Sequence, residues 1–182
     1  MLSDTDIMVR VQGGDLALFG ELVNRYQSRL LLFARSKFAD RDFSEDLVQD
    51  AFLAAYQARD SYRVEFAFST WIWTILLNLS KEAGKKQARR QDRERKHAQL
   101  SHERAGLMTT PLQEMLAAEQ RTQVHLWLQS LPEEEADAIR LKFFGGLKYE
   151  EIAWAMESSV SGAKARVRRG LTRLAEQFPP DD

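Results

Sequence analysis

The sequence predicts an all-α protein made of two small helical domains joined by a polar linker. Apolar residues recur at helical spacing throughout the 182 residues, and no alternating strand pattern occurs. Only four prolines are present, Pro111, Pro132, Pro179 and Pro180, so long stretches carry no helix breaker. One polar stretch, 84–118, has almost nothing to bury and divides the two periodic regions. These features place a first domain at 1–90, a linker at 91–114, a second domain at 115–178 and a tail at 179–182.

The first strong helix is expected over about 15–38, with Phe19, Leu22, Val23, Tyr26, Leu30, Phe33 and Ala34 on one stripe. The second is expected to start at Ser44, an N-cap residue type, and to run to about Arg59. Glu45 and Asp46 then fall in the first turn, where the helix dipole favours negative charge. Residues 60–67 break the pattern and read as a loop. Ser69 or Thr70 caps a third helix that passes Leu79 toward the basic stretch beyond.

In the second half a helix is expected over about 112–128. Another opens on Pro132 followed by Glu133, Glu134 and Glu135, and closes at Gly145-Gly146. Residues 149–156 form a short helix and Glu157-Ser158-Ser159 a turn. Residues 161–177 form a basic amphipathic helix stopped by Pro179-Pro180.

The composition excludes several function classes. With 44% hydrophobic residues the chain has enough apolar material for folded domains. The most apolar stretch, 71–79, is interrupted by Thr74 and Asn78 and is too short to span a bilayer, so no membrane insertion is expected. Met1-Leu2-Ser3-Asp4-Thr5-Asp6 is acidic and lacks the apolar core of a secretory signal. No cysteine occurs, which removes disulfides, thiolate metal sites and thiol nucleophiles, and fits a reducing cytoplasm. No phosphate-binding glycine loop or nucleophile elbow is found. His97, His102 and His125 lack metal-ligand spacing, and the adjacent Glu150 and Glu151 diverge on a helix. No catalysis, metal, cofactor or small-molecule substrate is expected.

The net charge of −1 hides an alternation. Residues 61–110 hold 10 basic against 5 acidic side chains, and 111–160 hold 4 against 9. Residues 161–182 are basic again, 5 against 3, and 1–60 are acidic, 7 basic against 10. Basic blocks attract phosphate, so two nucleic-acid contacts with something different between them would produce this pattern.

Three helix faces carry further information. On the helix from Ser44, the residues Leu47, Val48, Ala51, Phe52 and Ala55 point one way, and Asp46, Gln49, Asp50 and Leu53 the other. Two carboxylates, an amide and a stranded leucine suit an acidic protein-docking face with an apolar anchor, or else a solvated face with one exposed leucine. On the next helix Ile72, Ile75, Leu76, Leu79 and Ala83 form the expected buried stripe. Trp73, Asn78, Lys81 and Lys85 lie off it, with Trp71 at its margin. Tryptophan beside amides and lysines suits stacking of unpaired bases, although either tryptophan could instead be core. The region from Tyr149 onward reads as a helix-turn-helix. There Val160, Ala163, Val167, Leu171, Leu174 and Phe178 are expected to face inward. Ser161, Gly162, Ala165, Arg166, Arg169 and Arg173 are expected to face a major groove.

Taken together, three strings resemble the extracytoplasmic-function (ECF) group of bacterial RNA polymerase sigma factors. Phe43-Ser44-Glu45-Asp46-Leu47-Val48-Gln49-Asp50 onward to Tyr56 looks like the family's polymerase-docking helix. Phe68-Ser69-Thr70-Trp71-Ile72-Trp73-Thr74-Ile75, with Asn78 and the basic residues after it, looks like its promoter −10 segment. Leu131-Pro132-Glu133, Tyr149-Glu150-Glu151-Ile152-Ala153 and the arginine-rich last helix look like its −35 domain.

The resemblance implies promoter-specific initiation with core RNA polymerase. It places Asp46, Gln49, Asp50 and Leu53 against the β′ clamp helices. Trp73, Asn78, Lys81, Lys85 and the loop 60–68 then hold the −10 strand. Ser161, Lys164, Ala165, Arg166, Arg169 and Arg173 lie on the −35 helix of a domain that also contacts the β flap. Members of that family are often held by an anti-sigma protein. The chain departs from the family where a turn glycine and an apolar residue are usual and Glu157 and Ser158 stand instead, which implies a less comfortable left-handed backbone. A stand-alone helix-turn-helix repressor and a protein-interaction adaptor are the rival readings.

Overall fold

The protein is described from a computed structural model that defines residues 2–97 and 122–178. No strand occurs among the described residues. The helices are α1 (Asp4–Gln12), α2 (Phe19–Lys37), α3 (Arg41–Gln57) and α4 (Phe68–His97) in the front half. In the rear half α5 covers 122–129, followed by α6 (Glu133–Phe143), α7 (Tyr149–Ala155) and α8 (Val160–Gln177). The remainder of the expected linker, 98–114, and of the expected helix, 112–121, lies outside the described residues.

Helix α1 lies ahead of the first helix expected from the sequence. Ser3 caps it, with the Asp6 amide donating to Ser3 Oγ at 3.1 Å and the Ser3 amide donating to Asp6 Oδ2 at 3.1 Å. Ile7, Met8 and Val11 are its buried face. Its end braces the later loop, because Gln12 Nε2 donates to the carbonyls of Arg59 (2.8 Å) and Tyr62 (3.0 Å). Its start is tied to α2 by Asp4, which accepts from Arg25 Nη1 at 2.6 Å and from the Tyr26 hydroxyl.

Helix α3 begins three residues before the expected Ser44. Asp40 is the cap and accepts from the Phe43 amide at 3.0 Å. Ser44 sits inside the helix, fully buried, and its hydroxyl donates to the Asp40 carbonyl at 2.8 Å. Helix α4 starts at Phe68 and continues through Gly84 to His97. An interior glycine costs only about 1 kcal/mol relative to alanine, and the lysines, arginines and glutamines around it are good helix formers.

The buried face of α4 is rotated from the expected stripe. Ile72, Trp73, Leu76, Leu77 and Ser80 are buried, while Ile75, Leu79 and Ala83 are half-buried. The buried face of α8 is Ala163, Val167 and Gly170, with Leu171 and Phe178 left exposed. Gly170 explains that rotation. A Cβ at this position would lie 2.6 Å from Ile139 Cδ1, so a side chain here would push the end of Ile139 aside, whereas glycine lets α8 lie against α6 as it stands.

The two halves pack against each other. Their buried apolar residues form one continuous cluster that runs from α1–α4 into α6, α7 and α8. A smaller cluster, Leu128, Leu131, Ala136 and Ile139, sits under α5 and α6. A polar network seals the boundary. Lys37 Nζ donates to Asp137 Oδ2 (2.9 Å) and Glu133 Oε1 (2.9 Å). Arg140 donates through Nη1 to Asp137 Oδ1 (3.0 Å) and through Nε to Ser36 Oγ (2.9 Å). Gln129 Nε2 donates to the Lys37 carbonyl at 2.7 Å, and Arg29 Nε donates to the Phe144 carbonyl at 2.8 Å.

The turn before α8 shows the discomfort that its residues imply. Glu157 has φ 49°, the left-handed region, and no other described non-glycine residue has positive φ. That conformation costs an L-residue roughly 1–2 kcal/mol. Glu157→Gly is expected to raise stability by up to about 1 kcal/mol after its own entropy cost, read as a higher midpoint in urea.

Candidate polymerase and nucleic-acid interfaces

The docking candidates share one exposed face. Helical spacing puts Asp46, Gln49, Asp50 and Leu53 on the side of α3 away from the core, and all four are exposed. Leu53 is 53% exposed, a large apolar residue with nothing to cover it among the described residues. On the other side of Asp46 and Asp50 runs a groove of about 490 Å³ between α3 and α4, floored by Phe43, Leu47, Leu79 and Ala83. Glu45, near the start of the face, accepts from Arg35 Nη2 (2.8 Å) and Arg41 Nε (3.0 Å). Hydrogen bonds from Arg41 and then Arg35 hold its carboxyl below the usual range.

The −10 candidates do not all lie together. Asn78, Lys81 and Lys85 recur at i, i+3 and i+7 on the side of α4 away from the core. Trp73, expected beside them, does not join them. It is fully buried and packs edge-to-face on Phe33 with centroids 5.7 Å apart. Its ring is occupied by the core and is not open to a base. Trp71, not Trp73, shares the face of Asn78 and Lys85. It is half-buried, seven residues before Asn78, and stands 5.3 Å from Tyr62 and 6.0 Å from Phe68. The loop beside it exposes Val64 and Phe66, and the Tyr62 hydroxyl donates to the Phe66 carbonyl at 2.8 Å.

The −35 candidates split into two rows on α8. Ser161, Lys164 and Ala165 lie on the outer row. Arg169 and Arg173 are exposed, as expected, and Arg166 is half-buried; all three lie on the side nearer α6. Arg166 pairs with Glu134 (2.9 Å), and Arg169 and Arg173 pair with Glu135 (3.0 and 3.1 Å). Arg168 completes the outer row with Thr172, is exposed, and meets no carboxylate among the described residues. An apolar stripe that counts Val160, Leu171 and Phe178 but not Gly170 leaves Arg168 off the outer face. Behind that row the Tyr149 ring stands between Lys142 (4.6 Å) and Lys164 (5.7 Å), which concentrates cations beside the start of α8. Ser159 caps α8 by accepting from the Gly162 amide at 3.0 Å.

An exposed acidic face with an apolar residue on it, a basic helix beside an aromatic loop, and a helix-turn-helix thus occur in one chain. The sigma-70 region 2 family matches residues 22–90, and the sigma-70 region 4 family matches residues 121–174. An ECF RNA polymerase sigma-E factor of Haemophilus influenzae is 33% identical, over 98% of this chain and 97% of its own length. The ECF RNA polymerase sigma-E factor of Escherichia coli K12 is 35% identical, over 98% and 96%. The chain belongs to the ECF RNA polymerase sigma factors.

Among solved structures, the sigma factor RpoE of Bartonella quintana, in complex with the anti-sigma factor NepR, has a TM-score of 0.68 at 25% identity. It covers 90% of this chain and 98% of that one. CnrH, in complex with the cytosolic domain of CnrY, shares the fold with a TM-score of 0.75 at 23% identity, over 98% and 99%. As a sigma factor the protein directs RNA polymerase to promoters, and its partners are therefore the core polymerase and promoter DNA. No helix among the described residues is long and apolar enough to cross a membrane.

Proposed function

We propose that 1–90 is the part of this sigma factor that seats on the polymerase and holds the −10 strand, and that 115–178 reads the −35 duplex, with 91–114 as the link. The exposed row Asp46, Gln49, Asp50 and Leu53 is the observation that carries the docking assignment. A hydrophobic anchor ringed by carboxylates and an amide suits a basic helical surface such as the β′ clamp helices. The rear domain meets the β flap as well as DNA. Association of the purified chain with core polymerase on size exclusion, followed by run-off transcription, tests the assignment. A chain that binds duplex DNA alone and as a dimer would favour a repressor.

The −10 strand lies along Asn78, Lys81 and Lys85, with its unpaired bases toward Trp71 and the loop 60–67. Cations at this spacing track a phosphate chain, and aromatic rings stack bases. The protein catalyses no reaction in this scheme; binding energy within the polymerase complex opens the strands. It works in the cytoplasm. An anti-sigma partner fits the groove between α3 and α4, which has an apolar floor beside the docking row; the structural relative RpoE is itself held by one.

The −35 duplex is read by the outer row of α8: Ser161, Lys164, Ala165 and Arg168. Arg166, Arg169 and Arg173 have carboxylate partners in their own domain and contribute less. Arg168→Ala is expected to weaken binding to a promoter selected with the holoenzyme by about 1–3 kcal/mol, with Arg169→Ala the weaker of the two. Footprints on that promoter check the order; a larger loss for Arg169 would put Arg169 on the reading face instead.

A further inference from the structure

Helix α8 carries five basic side chains, Lys164, Arg166, Arg168, Arg169 and Arg173, against a single acidic one, Glu176. Such a helix attracts any duplex through its phosphates, whatever the base sequence. Three of the five cations meet carboxylates of α6, and the pairs are not equivalent. Arg166 meets Glu134, whose side chain is 70% exposed. Water solvates that carboxylate with or without its partner, so the pair holds its arginine weakly.

Glu135 is different. Its side chain is only 7% exposed, and both of its oxygens face arginines of α8. Arg169 Nε donates to Oε1 at 3.0 Å. Arg173 Nε stands 3.1 Å from Oε2 but out of line for a hydrogen bond, so Oε2 is buried with charge alone to balance it. A buried carboxylate is costly unless cations stay beside it, which ties both arginines to this one group. Gly170 falls between them in the sequence. A Cβ there would stand 3.4 Å from Glu135 Cβ, so the bare backbone leaves room for the stem of Glu135 against α8. Arg169 and Arg173 both reach the carboxylate, yet each keeps 53% of its side chain exposed. A duplex lying along α8 therefore meets two guanidinium groups that already share one anion.

We propose that Glu135 is a charge restraint on the −35 helix: it holds Arg169 and Arg173 so that together they present one net positive charge to the DNA backbone instead of two. This rests on the reading of α8 as the helix that meets the −35 duplex. Attraction that ignores sequence is held down, and the helix does not linger on duplexes that lack the −35 element. Selection then falls to the outer row, Ser161, Lys164, Ala165 and Arg168.

Holoenzyme reconstituted from the full chain and core polymerase tests this. Two fluorescein-labelled duplexes are used, a promoter selected with the wild-type holoenzyme and the same duplex with its −35 element scrambled. Anisotropy is followed across a salt series, and the contribution of the polymerase cancels between variants. Glu135→Gln keeps the shape and removes the charge. It is expected to steepen the plot of log affinity against log salt by about 0.9, the value of one further cation on phosphate, and to bind both duplexes about three- to tenfold more tightly near 0.1 M salt. Arg169→Ala and Arg173→Ala added together to Glu135→Gln should remove the gain. Glu135→Leu, which also lacks the charge and suits the apolar neighbours Leu131 and Ile139, should match Glu135→Gln and serves if the amide fails to fold by its melting curve. An unchanged salt slope in the folded uncharged variants, with Arg168→Ala still weakening the selected duplex, overturns the restraint and leaves the reading of α8 standing. A gain confined to the selected duplex also overturns it, because a freed arginine would then be reading a base. Indifference of both duplexes to Arg168→Ala and to Glu135→Gln alike sinks the reading of α8 and the restraint with it.

Discussion

Leu53→Asp is expected to abolish association with core RNA polymerase while the chain keeps its melting curve. Leu53 is over half exposed and lies on the far side of α3 from Leu47, Val48, Ala51, Phe52 and Ala55, which are buried. Changing it removes nothing from the core, and surface substitutions of this kind shift stability by about 0.5 kcal/mol or less. At an interface the same side chain is the apolar anchor of an otherwise polar row. Truncating such an anchor costs about 2–4 kcal/mol, at least a thirtyfold loss of affinity, and a buried unpaired carboxylate adds to it. Asp50→Arg reverses the sign of the neighbouring charge and is expected to act through the association rate, with a steep dependence on salt. Size exclusion with purified core enzyme reads both. Co-elution of Leu53→Asp at the wild-type level would move the docking site elsewhere. Val48→Asp is the control that should fail differently, since Val48 is 2% exposed and its loss unfolds the front half.

Exposure on α3 was legible because its two faces differ strongly in polarity. Every position assigned to its outer face, Asp46, Gln49, Asp50 and Leu53, is exposed in the structure. The same method slipped on α4 and α8 for opposite reasons. On α4 apolar residues surround most of the helix, so 75, 79 and 83 mark a half-buried groove edge as convincingly as 72 and 76 mark the core. Trp73 was thereby placed outside, and its packing on Phe33 shows that it belongs within. On α8 the deciding core residue is Gly170, which has no apolar side chain to count. Leaving it out turns the inferred inner face toward Leu171 and leaves the exposed Arg168 off the outer face.

Helix starts depended on local competition among caps. Ser44 is a good cap type, but Asp40 lies four residues earlier and captures the Phe43 amide first. Helix α1 has a capping box and three buried side chains, too short a run to stand out as a periodic signal. The packing of the halves could not be read at all. Its polar contacts join Ser36 and Lys37 to residues a hundred positions away, and each residue taken singly looks like an ordinary helix-surface charge.

Asp137→Ala is expected to cost about 3–5 kcal/mol of the contact between the halves. Asp137 has 1% of its side chain exposed and is the shared anion of two buried cations, Lys37 and Arg140. Burial disfavours the charged form of Arg140 and lowers its pKa, with Asp137 the chief opposing influence. Removing that carboxylate leaves two positive charges with Glu133, whose side chain is mostly exposed and so a weak substitute. Glu133 gives the effect a pH signature. The hydrogen bond from Lys37 holds its carboxyl below the ordinary 4.5, so its contribution is complete above that value and fades as pH falls through the depressed one. Because Lys37 sits on α2 and Asp137 on α6, the damage falls on the joint. Thermal unfolding of Asp137→Ala should therefore split into two transitions where wild type gives one, and a single unshifted transition would show that the joint carries no stability. A coordinated change, Lys37→Met with Asp137→Leu and Arg140→Met, should do the reverse. It removes the desolvation penalty of all three charges and is expected to leave the joint as strong or up to about 4 kcal/mol stronger. If opening is needed to reach two promoter elements at once, that tighter protein should initiate less transcription than wild type, even though it is the more stable of the two.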